Sequence, residues 1–130
     1  MRATFAPRRL DEATQAYVEF LSGGMPCVLA GVSETLQCRN ELDRTNWLTL
    51  IGICNEAIAL GAGAFPIPVA IRCTSNRSYT LSYTDTLILM KNLRAWAAGA
   101  QANWWRLKDL VATVASGEDL NTINLDGGWP

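Results

Sequence analysis

Four cysteines, Cys27, Cys38, Cys54 and Cys73, and twelve carboxylates are the groups with chemistry to offer, and no histidine accompanies them. Zinc sites are built from closely spaced thiolate pairs, often with imidazoles, and this chain has no C-x-x-C pair, so no metal site is expected. Two readings of the thiols remain. Reduced and buried, they act as small hydrophobes; in an oxidising setting, Cys27 and Cys38 fall on strands expected to pair, and their opposition would permit a disulfide. General acid–base work at neutral pH most naturally uses histidine. The acids Asp11, Glu12, Asp43, Asp85, Asp109, Glu118 and Asp119 all have helix-start or helix-surface explanations, and no paired-carboxylate spacing stands out. No G-x-S-x-G run supplies a nucleophile. Gly61 and Gly63 lack the following helix and the Lys-Ser/Thr pair of a phosphate loop. The sequence therefore implies no catalytic residue and no cofactor. The residues that stand out are contact residues instead: Phe65, Trp104, Trp105 and Trp129, large aromatics of the kind that dominate interface energetics.

The elements that carry these residues are legible from periodicity. From Tyr83 the apolar positions Leu87, Met90, Leu93, Ala97, Ala100, Trp104, Leu107, Val111 and Val114 recur at steps of three and four, which predicts one long amphipathic helix. Ser82-Tyr83-Thr84-Asp85 reads as its capping box, and Ser116-Gly117-Glu118-Asp119 repeats the device. Adjacent residues on a helix stand about 100° apart, so Trp104 and Trp105 must split across two faces, with at least one at an edge or interface. The ending Gly127-Gly128-Trp129-Pro130 sets an indole after two hinges, where it can fold back on the helix as a plug.

Upstream, Pro7 to Leu21 reads as a helix with Pro7 at its permitted first position, an apolar stripe of Leu10, Ala13, Tyr17, Phe20 and Leu21, and a stop at Ser22-Gly23-Gly24. An isolated helix this short is marginal in water, so it leans either on its own domain or on a neighbouring subunit. Pro26 to Val32 and Glu34 to Arg39 form a first hairpin, with Leu36 and Cys38 on one face. Asp43 caps a helix from Arg44 to about Leu60, with Gly61 beyond its end. Trp47, Leu48, Leu50, Ile51, Ile53, Cys54, Ala57, Ile58 and Leu60 cover more than half its circumference, making it the most buried element or giving it a second face for another subunit. The prolines of Gly61 to Pro68 make that stretch a loop, from which Phe65 and Ile67 either dock into the core, the favoured reading, or form an exposed apolar grip. Val69 to Thr74 and Tyr79 to Ser82 give a second hairpin around Ser75-Asn76-Arg77-Ser78. The expected class is α+β: two short β-hairpins packed with a central helix and a long C-terminal helix, plus an N-terminal helix. It divides into a helical arm over 1–24 and a domain over 25–130.

Composition narrows the partners. Hydrophobic residues make up 49% and charged residues 18%, which excludes a disordered charged tail. Eleven basic and twelve acidic residues leave a net charge of −1, so no global field holds nucleic acid or an anionic membrane. Arg2, Arg8 and Arg9 read as a solvated terminus. No signal peptide is visible after Met1, and the apolar windows near Trp47 to Ala64 and Leu87 to Ala100 are broken by polar residues, so neither spans a bilayer.

The C-terminal residues carry a resemblance. Leu107-Lys108-Asp109-Leu110-Val111, then Glu118-Asp119-Leu120-Asn121-Thr122-Ile123, then Gly128-Trp129-Pro130 resemble the end of the DUF4376 family of tailed-bacteriophage and prophage proteins. Leu42-Asp43-Arg44-Thr45-Asn46 resembles that family's entry into its first helix. The likeness runs from about Met25 to Pro130 and departs from the family at Ile71, where tryptophan is usual. It implies a structural component of a tailed-phage virion, in the tail, baseplate or fibre region, acting by protein–protein contacts. The alternative is a tail-fibre assembly chaperone that is not retained in the particle. The implied partners are other phage tail or fibre proteins and further copies of the chain, a trimer by the threefold symmetry of fibres. The implied location is the virion, after synthesis in the bacterial host cytoplasm.

Overall fold

A computed structural model describes residues 2–114 and 120–130. Its elements are α1 (Arg2–Ser22), β1 (Met25–Leu29), β2 (Val32–Leu36), α2 (Glu41–Ala59), β3 (Ile71–Arg72), β4 (Ser78–Tyr79) and α3 (Tyr83–Thr113). The α+β class expected from the sequence is the one observed, with its N-terminal helix, two hairpins, central helix and long C-terminal helix. The chain gathers into two compact units, Leu21–Trp96 and Met1–Phe20 with Ala97–Pro130.

In Leu21–Trp96, β1 and β2 pair antiparallel, with Met25 opposite Leu36 and Leu29 opposite Val32. Ala30 and Gly31 turn between them with φ of 50° and 77°, the two left-handed residues of a type I′ hairpin whose twist matches the strands. The turn therefore falls earlier than expected, the first strand ending at Leu29 and not Val32 and the second starting at Val32 and not Glu34. The second hairpin is shorter than expected, with Ile71 opposite Tyr79 and Arg72 opposite Ser78. Beyond the end of β2 the chain keeps bonding sideways: Gln37 donates to the Arg72 carbonyl (3.1 Å) and Thr74 to the Thr35 carbonyl (2.9 Å), and Leu36 pairs with Cys73. Leu36, Cys38, Ile71 and Cys73 are fully buried.

Helix α2 begins three residues before its expected start, because the cap is Asn40 and not Asp43. Asn40 is extended (φ −156°) and its Oδ1 accepts the Asp43 N–H at 2.9 Å. Asp43 then sits in the first turn, where its carboxylate accepts the Arg39 N–H and Nε–H, both at 2.9 Å. Its end follows the sequence. Gly61 takes φ 81°, its N–H bonds the Ile58 carbonyl, and the Ala62 N–H bonds the Ala57 carbonyl at 2.8 Å, which is a Schellman stop. Only Leu50 and Cys54 of α2 are buried, so this helix is not the most buried element. The loop after it supplies carbonyls to the start of α3: Phe65 accepts the Tyr83 N–H and Gly63 the Thr84 N–H, both at 3.0 Å. The Ser82 hydroxyl accepts the Asp85 N–H at 3.1 Å, as the capping box requires.

In the other unit, α1 carries Pro7 inside the helix and not at its first position, so its ring nitrogen leaves one helical bond unmade. Arg9 is no solvated terminus. Its Nε donates to the Leu120 carbonyl (3.0 Å) and a terminal nitrogen to the Ile123 carbonyl (2.6 Å), while it pairs with Glu12. The buried line of α3 in this unit runs through Ala100, Asn103, Leu107 and Val111. Asn103 takes the place expected for Trp104: its Nδ2 donates to the Gly127 carbonyl at 3.0 Å and its Oδ1 accepts Arg106 at 2.8 Å and 2.9 Å. Gly128 holds φ 85°, and any β-carbon there would collide with Asn103 Oδ1. The repeated capping box at Ser116-Gly117-Glu118-Asp119 lies outside the described residues.

Candidate interaction surfaces

The terminal tryptophan folds back, and its target is α1. The Trp129 ring stacks on Phe20 (centroids 5.3 Å apart) and lies 6.3 Å from Tyr17, while its Nε1 donates to the Leu125 carbonyl at 2.9 Å. Trp104 stacks parallel to the Tyr17 ring with centroids 4.7 Å apart; Lys108 Nζ lies 4.4 Å from the Trp104 ring centre, and the Trp104 Nε1 donates to the Thr14 hydroxyl at 3.2 Å. Tyr17 thus brings Trp104 and Trp129 into one aromatic ladder, each of them half-buried. Trp105 does not join it. As helical spacing requires, it points elsewhere and is 53% exposed, lining a shallow hollow of about 460 Å³ with Ala102, Asp109 and Leu110.

In Leu21–Trp96 the loop pair separates. Ile67 docks, 2% exposed, with its N–H on the Leu81 carbonyl at 2.8 Å. Phe65 does not dock with it and is 64% exposed, so of the two readings the favoured one holds for Ile67 and the exposed one for Phe65. Strand alternation would put residues two apart on one face, but Phe65 still belongs to the turn before the extended segment, its N–H bonded to the Ala62 carbonyl at 3.0 Å, so it does not share the face of Ile67. On α2, Leu42 and Ile53 remain exposed, as does Leu60 at its C-cap, to 80%. At about 100° per residue they fall within roughly 20° of one another around the helix axis; Ile53 and Leu60 belong to the apolar set read from the sequence, and Leu42 extends it.

The thiols are all free. The expected opposition of Cys27 and Cys38 is corrected by the register: Cys27 faces Glu34, and Cys38 lies four residues further along that line, roughly 13 Å at strand spacing. Disulfide geometry needs Cα atoms within about 7 Å. Burial pushes the Cys38 and Cys73 thiols up to about 11, with small electrostatic adjustments from neighbours, so both are neutral and inert at pH 7. Cys27, half-buried, is also raised, chiefly by burial.

Among the described residues one carboxylate is buried, Glu34, and it is not among those singled out from the sequence. Glu34 is 9% exposed; it accepts the Tyr79 hydroxyl and, at 2.8 Å, the Ser75 hydroxyl. Those hydrogen bonds hold its pKa below the usual carboxylate value, and Tyr79 is raised in return, first by its bond to Glu34. Strand alternation was the available signal, since Glu34 shares a face with Leu36 and Cys38. With its lone pairs occupied by hydroxyls from the second hairpin, Glu34 is a staple between hairpins. Among the described residues no group of three or more cysteines and carboxylates is placed to share a metal ion, and no helix is long and apolar enough to cross a membrane.

No known protein family, no curated protein and no solved structure matches this chain.

Proposed function

We propose that this protein works by contact, as a protein-interaction module. The observation that carries the reading is the exposure of Leu42, Ile53 and Leu60 along α2 and its C-cap, with Phe65 also exposed in the loop that follows, apolar area of the kind that marks partner surfaces. Trp105 offers a further anchor on the other unit. The titratable groups with strong neighbours, Glu34 and Asp43, are both explained by fold-building hydrogen bonds, which favours contact over catalysis.

The setting rests on the resemblance of Gly128-Trp129-Pro130 and the residues before it to DUF4376 proteins. In that setting the chain is a structural component of a tailed-phage particle, retained as a trimer beside tail or fibre proteins. The competing role in the same setting is a fibre-assembly chaperone. Quantitative mass spectrometry of purified particles separates them. A fixed ratio to portal and tail proteins, in multiples of three or six, is the expected result for a structural part. Abundance in the infected-cell lysate with absence from particles would make it the chaperone, and absence from both would remove the phage setting.

A further inference from the structure

The first hairpin has a free edge. In a hairpin closed by a two-residue turn, the pair next to the turn exchanges hydrogen bonds and the pairs then alternate. With Leu29 opposite Val32, the ladder bonds fall to Met25, Cys27 and Leu29, so Pro26 and Val28 direct their backbone groups away from β2. Pro26 fits that assignment, having no N–H to lose on an open edge. No backbone group among the described residues takes up the outward N–H and C=O of Val28.

Beside this edge lies a hollow of about 270 Å³. Its one wall is β1 from Met25 through Ala30; its other is α3, through Asp85, Ile88, Leu89 and Asn92. Those four are spaced three, four and seven residues from Asp85, so they form one helix face running for about 10 Å at 1.5 Å per residue. That length matches about three residues of extended chain. The hollow is floored by Leu89, which is buried, and rimmed by Ile88 and Val28, which are 55% and 68% exposed. Asp85 stands at one end, its carboxylate in no ion pair among the described residues, and Asn92 at the other offers an amide.

We propose that this groove binds an extended peptide segment of a partner protein, which adds to the β1 edge as a further strand. The peptide's backbone would bond the N–H and C=O of Val28 and the Pro26 carbonyl. An apolar side chain would enter between Val28 and Ile88, and a basic residue at the end of the segment would meet Asp85. Unpaired strand edges supply the affinity of such sites, and the alternate side chains facing the wall supply the selectivity. This site stands apart from the α2 stripe, so it does not depend on the contact role proposed above.

The test is selection of a random peptide display library against the intact chain, followed by amide hydrogen exchange with the synthetic form of the selected peptide. The expected peptides alternate apolar residues and carry a terminal lysine or arginine, and they slow exchange of the Val28 amide at least tenfold. Ile88→Arg, on a side chain exposed enough to leave the fold intact, weakens binding at least tenfold, and N-methylation of the peptide at the bonding positions does the same with the protein unchanged. Asp85→Asn removes the preference for the basic residue. Failure to select any peptide would overturn the proposal. So would selected peptides that leave Val28 exchange unaltered, or that bind as helices and are displaced by changes on α2.

Discussion

Arg9 and Trp129 show how single side chains close the unit built from α1 and the C-terminal segment. Arg9 reaches two carbonyls of the turn at Leu120 to Ile123, with its side chain 15% exposed. Arg9→Met keeps the aliphatic bulk and deletes both charged hydrogen bonds, so it should cost about 2 kcal/mol in urea unfolding. Lysine should recover only part of this, because a single ammonium cannot reproduce the fork. Trp129→Ala removes a half-buried indole stacked on Phe20 and Tyr17. A fully buried tryptophan costs about 3 to 5 kcal/mol on truncation, and half-burial lowers the expectation to about 2 kcal/mol. Unchanged stability with a lost partner would instead make Trp129 an interface residue.

The hairpins depend on groups that titrate, so their stability is a function of pH. Glu34 has its native pKa held down by Tyr79 and Ser75, and the stability it contributes is present above its ordinary value of 4.5 and lost as pH falls through the lowered one. Tyr79→Phe removes the larger of those bonds. The acid-unfolding midpoint should therefore move to higher pH, measured by circular dichroism, with little change near pH 7 beyond the lost hydrogen bond. At the alkaline end Cys38 and Cys73 act in the opposite sense. Each is neutral in the fold up to about 11, whereas the unfolded thiol ionises near 9.0. Their contribution is complete below pH 9 and falls between pH 9 and 11 by on the order of 1 kcal/mol per pH unit for each thiol. Replacing both with alanine or valine should flatten the stability profile over that window. Under native conditions at pH 8, alkylation should reach Cys27 ahead of the buried three.

For the molecule as a whole, the proposed contact role predicts that association and stability are separable. Leu60→Glu with Phe65→Asp alters two side chains that are 80% and 64% exposed. Such changes should move monomer stability by less than about 0.5 kcal/mol. Sedimentation should show the wild-type chain as a trimer and the double variant as a monomer with the same melting behaviour. A wild-type chain that stays monomeric at high concentration would direct the α2 stripe to a different protein.

What the sequence determined by itself was the kind and order of the elements, because those signals are local. Gly61 stops α2 through bonds to residues a turn away, Ser82 caps α3 through Asp85 three positions on, and helical spacing parts Trp104 from Trp105. The tertiary structure decided which side of each element was covered and which polar groups went inside. Asn103 is buried in the place read for Trp104 because the Gly127 carbonyl, 24 residues away, arrives to accept its amide. Glu34 is buried because Tyr79, 45 residues away, brings a hydroxyl to it. Ile67 went in with its N–H on the Leu81 carbonyl while Phe65 stayed outside, and the local turn at Ala30-Gly31 set a register in which Cys27 faces Glu34 and not Cys38. Buried polar groups are tolerated only where a partner comes to meet them, and such partners come from far along the chain, beyond the reach of any pattern in neighbouring residues.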